Sequence, residues 1–253
     1  MTLAAHVVDG YLARIGYGGS RVPSLATLRG LHERHMLSVP FENLDIHWKR
    51  AIVVDVERFV DKIVRERRGG FCYELNGAFA ALLEALGFDV TRISARVVTA
   101  EGGYGPPFDH MALMVRFEDG SRWLADVGFG DSFLQPLDLG ERGIQQERYR
   151  VVEDMPEWRM EMDGKAQFLF TLEPRGLPEY APMCDYQQFS PDSPFTKKRV
   201  CTIATETGRV TLAESKLIVT RNGERTEVPV SAAEWSDVLF QTFGIARPGA
   251  APA

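Results

Sequence analysis

Three residues in this chain have the types and spacing for covalent chemistry: Cys72, His110 and Asp126. Cys72 sits in RGGFCYELN. After it, Leu75, Phe79, Leu82, Leu83 and Leu86 recur at helical spacing, and Gly87 stands where such a helix should stop. The spacing places Cys72 at a helix N-terminus, facing unpaired backbone N–H groups and the positive end of the macrodipole. With a cation nearby, such a position lowers a cysteine pKa from about 8.5 toward roughly 3.5–7.5. Gly69 and Gly70 leave room for another backbone or a substrate. The alternative is a free cysteine serving as a small core hydrophobe.

A nucleophilic cysteine needs a base, and the base needs an orienting partner. Of the five histidines, His6, His32 and His35 fall within expected helices, where solvation or packing accounts for them; His47 is possible. His110 differs, because it opens the strand HMALMV directly after the loop EGGYGPPFD, beside a ligand-sized gap. Asp126 lies within WLADVGFG on the expected neighbouring strand, and an acid in an apolar strand is costly unless paired. Pairing with His110 would satisfy it and fix the imidazole tautomer. Turn and cap roles suit Asp109 and Asp131 better. Glu42 and Arg68, each in a loop beside the cysteine, form a second expected pair whose bidentate contact would hold those loops together. The alternative there is a surface ion pair of little energetic value.

The elements that must position these residues follow from the periodicity. Helices are expected from about Leu3 to Ile15, from Ser24 to about Leu37, and after an Asp55 cap with Val56, Phe59, Val60, Ile63 and Val64 buried. VPFENLDIHWK reads as a side-chain-rich loop. After Gly87 the pattern changes to FDVTRISARVV, HMALMVRF, RWLADVGF, RYRVVE and AQFLFTLE, short strands of an antiparallel sheet or barrel reaching to about Gln188, with a hairpin turn at Asp119-Gly120. FSPDSPF marks a boundary. The tail resumes with CTIATE, RVTLAE, KLIVTR and TEVPV, joined at Thr207-Gly208 and Asn222-Gly223, and a last helix starts at Ser231 with Glu234 completing a capping box. There is no internal repeat.

The chain has 253 residues, 45% of them hydrophobic, which suffices for a sizeable core in one large domain or two to three small ones. The net charge of −6 and the absence of a Lys/Arg stripe argue against a nucleic-acid surface. A local cluster such as Lys197, Lys198 and Arg199 still suits a small anion. The three cysteines are odd in number and lack zinc spacing, so neither a disulfide framework nor a metal site is expected. The N-terminus reads as neither signal peptide nor membrane span, and a reducing cytoplasm is the expected compartment. A phosphate loop, an HExxH helix and a Gly-x-Ser-x-Gly elbow are all missing.

VPFENLDIH, RGGFCYELN and DVGFG, in that order and with His110 between the last two, resemble the arylamine N-acetyltransferase family. YLARIGY, SPFTKK with Cys201, and TGRVTL extend the likeness over nearly the whole chain. The resemblance implies an α+β fold with a cysteine-protease-like arrangement of three domains: a helical bundle over 1–87, a β-barrel over 88–190 and an α/β lid over 191–253. It implies a Cys72–His110–Asp126 triad, acetyl-CoA as donor, and an aromatic amine or hydrazine as acceptor. Phe41, Tyr73, Val97 and Phe129 would line the acceptor pocket, and Ser193 and Phe195 would contact coenzyme A. The sequence departs from many members at Pro106 and Pro107, where small polar residues are usual. The chemistry expected is ping-pong transfer through acetyl-cysteine, with the Cys72 N–H as one oxyanion donor. Three other readings remain at this level: an amide synthase of the same fold closing a macrolactam, a transglutaminase- or cysteine-hydrolase-like enzyme, and a catalytically dead binding protein.

Overall fold

The structure, a computed structural model, describes residues 2–140 and 148–247. Five helices lead: α1 (Ala5–Ile15), α2 (Leu25–Ser38), the short α3 (Leu44–His47), α4 (Val56–Val64) and α5 (Cys72–Ala85). Side-chain caps set two of their starts, since the Ser24 oxygen accepts from the Thr27 N–H and the Asp55 carboxylate from the Arg58 N–H. α5 is enclosed on every side from Cys72 to Leu83, so it reads as apolar all round rather than striped. Each fully buried Leu or Phe on it contributes about 1.5–3 kcal/mol. VPFENLDIH is not a plain loop: Phe41–Glu42 form a two-residue strand, β1, and α3 follows.

The next strands, β2 (Asp89–Val97), β3 (His110–Arg116), β4 (Arg122–Ala125), β5 (Leu137–Asp138), β6 (Tyr149–Asp154), β7 (Glu157–Met162) and β8 (Lys165–Phe170), make one antiparallel sheet ordered β5-β4-β3-β2-β8-β7-β6. It curls until β5 and β6 approach each other, giving a nearly closed barrel. β3 is buried on both faces because Met111, Leu113 and Val115 pack on the helical core while Ala112 and Met114 point into the barrel. The sheet ends at Phe170, short of the expected Gln188. Residues Leu177–Tyr180 form a 3₁₀ turn, and α6 (Ala181–Phe189) packs back on the helices, with Gln188 exchanging hydrogen bonds with the Ile52 backbone.

After α7 (Pro194–Lys197), strands β9 (Cys201–Thr205), β10 (Gly208–Leu212), β11 (Lys216–Arg221) and β12 (Glu224–Pro229) form a second sheet, followed by α8 (Trp235–Phe243). The Ser231–Glu234 capping bonds form, but the α-helix begins only at Trp235. This sheet is ordered β1-β9-β10-β11-β12, so the lid borrows its first strand from the helical segment. Among the described residues no helix is long and apolar enough to cross a membrane.

Candidate active site

The three sequence motifs meet at the start of α5. β1 runs beside the glycine pair: Phe41 bridges to Gly70, and the Glu42 N–H donates to the Gly70 carbonyl at 2.9 Å. A β-carbon on Gly69 would lie 1.7 Å from the Pro40 oxygen, so only glycine permits this approach. In the DVGFG turn, a β-carbon on Gly128 would come within 2.9 Å of the Cys72 Cα. The turn therefore lies directly against the first residue of α5.

Asp126, fully buried, is the hub of the polar contacts. Its Oδ2 lies 2.7 Å from His110 Nε2, and its Oδ1 accepts from Asn76 Nδ2 at 2.8 Å and from the Gly128 N–H at 2.9 Å. A carboxylate surrounded by donors assigns the proton to His110 Nε2 and leaves Nδ1 as the basic atom. Asn76 stands one turn beyond Cys72 and so shares its face of α5. Its Nδ2 also donates to the Met111 carbonyl at 2.6 Å, its Oδ1 accepts from the Val127 N–H at 3.0 Å, and the Met111 backbone lies close enough to favour the Cys72 thiolate. The sulfur is thus held beside the His110–Met111 backbone. Sequence reasoning missed Asn76, although its place four residues after Cys72 was the available signal.

Burial works against the thiolate expected at Cys72. The residue is 4% exposed, and burial pushes its thiol well above the ordinary cysteine range. The Met111 N–H works the other way, while the Asp109 and Asp126 carboxylates add to the rise. Removing the sulfur from water penalises the thiolate, in opposition to the helix N-terminus. A charged sulfur at this position requires the proton to go to a neighbouring base.

Apolar rings surround these groups. Phe129 packs edge-on against the His110 ring at 5.3 Å, and Phe168, which the sequence reading did not single out, lies at 5.3 Å on another side. Phe195 spans Phe41 at 6.1 Å and Phe71 at 5.9 Å, and Phe71 meets Tyr73 edge-on at 5.0 Å. Phe41, Phe129 and Val97 are half-buried. Tyr73 is enclosed, its hydroxyl donating to the Phe108 carbonyl at 2.8 Å. Ser193 is also fully buried: its hydroxyl caps α7 by accepting from the Phe195 N–H and donates to Gln187. That hydroxyl is engaged inside the protein, which its place in a Pro/Ser loop did not suggest. Asn43 ties this lid segment down through the Phe195 and Lys198 carbonyls and the Val200 N–H.

Behind the helix start lies a charged cluster, with every member buried. Arg68 meets Glu42 and Asp45, each at 2.6 Å, and its guanidinium lies 4.6 Å from the centre of the Trp48 ring. Lys62, unforeseen from sequence, contacts Glu74 at 2.7 Å and Asp45 at 2.9 Å. Burial disfavours the Lys62 ammonium, but Glu42, Glu74 and Asp45 together raise its pKa. Glu74 also accepts the Phe71 N–H, and burial, only partly offset by Lys62, lifts its carboxyl to about 7.

The chain matches the N-acetyltransferase family over residues 24–248. It is 36% identical to an arylamine N-acetyltransferase of Mycolicibacterium smegmatis over 252 residues, 94% of this chain and 91% of that one. It is 31% identical to that of Escherichia coli K12 over 251 residues, covering 94% and 89%. Among solved structures, the Nocardia farcinica arylamine N-acetyltransferase superposes with a TM-score of 0.86 at 34% identity, covering 96% of this chain and 90% of that one. The Bacillus cereus enzyme, described with a Cys-His-Glu triad, superposes with a TM-score of 0.88 at 28% identity, covering 96% and 100%. On the length and identity of these matches, and with the α+β fold they share, the chain belongs to the arylamine N-acetyltransferase family.

Proposed function

We propose that this protein transfers acetyl groups from acetyl-CoA to arylamines or arylhydrazines by a ping-pong mechanism through acetyl-Cys72. The observation that carries the reading is the buried connection from Asp126 through His110 to the strand that holds the Cys72 sulfur. In the first half-reaction Cys72 Sγ attacks the thioester carbonyl while its proton passes to His110 Nδ1. The bond to the coenzyme sulfur then breaks, and that sulfur leaves with the proton from His110. In the second half, the amine nitrogen attacks the acetyl-cysteine and loses its proton to His110, which returns it to Cys72 as the C–S bond breaks. Asp126 stays ionised and holds the imidazole in one tautomer. Helix geometry leaves the Cys72 N–H without an intrahelical partner, free to face the developing oxyanion.

Phe41, Phe129 and Val97 offer half-buried apolar surface to a planar amine, with Tyr73 bracing the pocket from behind. On the coenzyme side Phe195 is the available contact, since the Ser193 hydroxyl is already engaged. Intact-protein mass spectrometry after incubation with acetyl-CoA tests the proposal. One acetyl group should appear on Cys72, be absent in Cys72→Ala, and discharge on adding an arylamine such as anisidine. An adduct elsewhere, or one that no amine discharges, would overturn it.

A further inference from the structure

His32, 94 residues away from Asp126 in the chain, touches it directly. It is fully buried on α2; its Nε2 lies 3.1 Å from the Asp126 backbone nitrogen and its Nδ1 2.9 Å from the Leu134 carbonyl oxygen. The backbone N–H of Asp126 is the donor, so Nε2 bears no hydrogen. Nδ1 then carries it and donates to Leu134. Both ring nitrogens are used, and only one tautomer fits. Burial lowers the His32 pKa to about 4, which keeps the ring neutral, as this arrangement requires. The ring cannot swing away: Phe133 stacks on it at 5.5 Å and 12°, and Phe79 of α5 closes it edge-on at 6.0 Å.

We propose that His32 is a positioning residue for the acetyl-transfer site, fixing the Asp126 backbone so that the carboxylate meets His110 at hydrogen-bond distance. Asn76 and Gly128 hold the Asp126 side chain, but neither touches its backbone N–H. Without His32 that buried N–H loses its acceptor, and the segment from Asp126 to Leu134 loses both of its ties to α2. A displacement well under an ångström at Asp126 would carry over to the His110 ring, whose alignment with the sulfur tolerates little error. A histidine serving only as packing would place its nitrogens without regard to this segment. Here both are spent on it.

The inference rests on the proposed Cys72 chemistry, so the test has one readout that needs no acetyl donor. Cys72 alkylation by iodoacetamide across pH, and acetylation by acetyl-CoA, are measured for the wild type and three variants. His32→Gln keeps an acceptor for the Asp126 N–H, His32→Asn reaches only the Leu134 side, and His32→Phe keeps the ring packing with neither bond. His32→Phe and His32→Asn are expected to lose about tenfold or more in both rates, the kinetic equivalent of one net hydrogen bond, with the arylamine KM unchanged. His32→Gln should recover most of the loss. In an Asp126→Asn background His32→Phe should produce no further drop. Rates within twofold of wild type in His32→Asn, no recovery in His32→Gln, or an additive loss in the double variant would each overturn the proposal. A wild type that alkylates at Cys72 but never acetylates would instead overturn the functional reading, with the alkylation profiles still deciding the role of His32.

Discussion

Two buried polar networks meet at the first turn of α5, and they are built on different principles. Around Asp126 one carboxylate is enclosed by directional donors, Asn76, the Gly128 N–H and the His110 ring. Around Arg68 and Lys62 three carboxylates are held by two cations, with hardly any solvent to screen them. The first arrangement orients: each donor has a direction, and one proton position follows from it. The second anchors: it joins β1, α3, α4 and the N-terminus of α5, and losing either cation leaves buried carboxylates uncompensated. The proposed chemistry is kept apart from the strongest electrostatic forces, so the proposed proton transfer at His110 leaves the ion pairs that hold the helix start undisturbed.

The largest effect that sharpens this contrast is expected in His110→Ala. Acetylation of Cys72 should fall about 10³–10⁴-fold in stopped-flow or mass-spectrometric rates, equivalent to about 4–5.5 kcal/mol. Without the imidazole the sulfur stays a buried thiol. Stability should fall only by about 1–3 kcal/mol, the cost of one unpaired oxygen on Asp126. A comparable loss in both quantities would erase the distinction between an orienting and an anchoring network.

Next comes Lys62→Met, which removes one of two cations from the cluster. Urea denaturation should show a loss of about 3–5 kcal/mol. A loss below about 1 kcal/mol would mean that the carboxylates relax by taking up protons and that the cluster anchors little.

The smallest effect is the pH dependence that Glu74 imparts. Its carboxyl is held near 7 in the fold against an ordinary value of 4.5. The folded state therefore binds a proton that the unfolded chain releases, and the group's stabilising contribution is complete below about pH 4.5 and disappears as pH rises through 7. Glu74→Gln should flatten that part of the stability profile by about 3 kcal/mol in unfolding free energies measured from pH 4.5 to 8. An unchanged slope would place the titration elsewhere in the cluster.

Much of the candidate site is legible in the sequence, though unevenly. Cys72 at a helix start, His110 opening a strand and Asp126 needing a partner all follow from patterns spanning a few residues. VPFEN read as a loop because two residues are too few for an alternating pattern; its strand exists only because β9 and Gly70 flank it. α6 falls in the stretch expected as barrel because APMCDYQQF has little amphipathic signature, its buried side chains being divided between Ile52 of the helical segment and Ser193 of the lid. Nothing local to Lys62 announces the three carboxylates that meet it, because they come from β1, α3 and α5.

By itself, then, the chain determined which residues could react and on which kind of element each sits, because periodicity, caps and glycine turns act between near neighbours. Long-range packing alone buries Cys72 against its thiolate form, spends Ser193 on a cap, and sets His32 on the backbone of Asp126. Those outcomes depend on burial and on hydrogen bonds between residues far apart in sequence, and neither exists until the core closes.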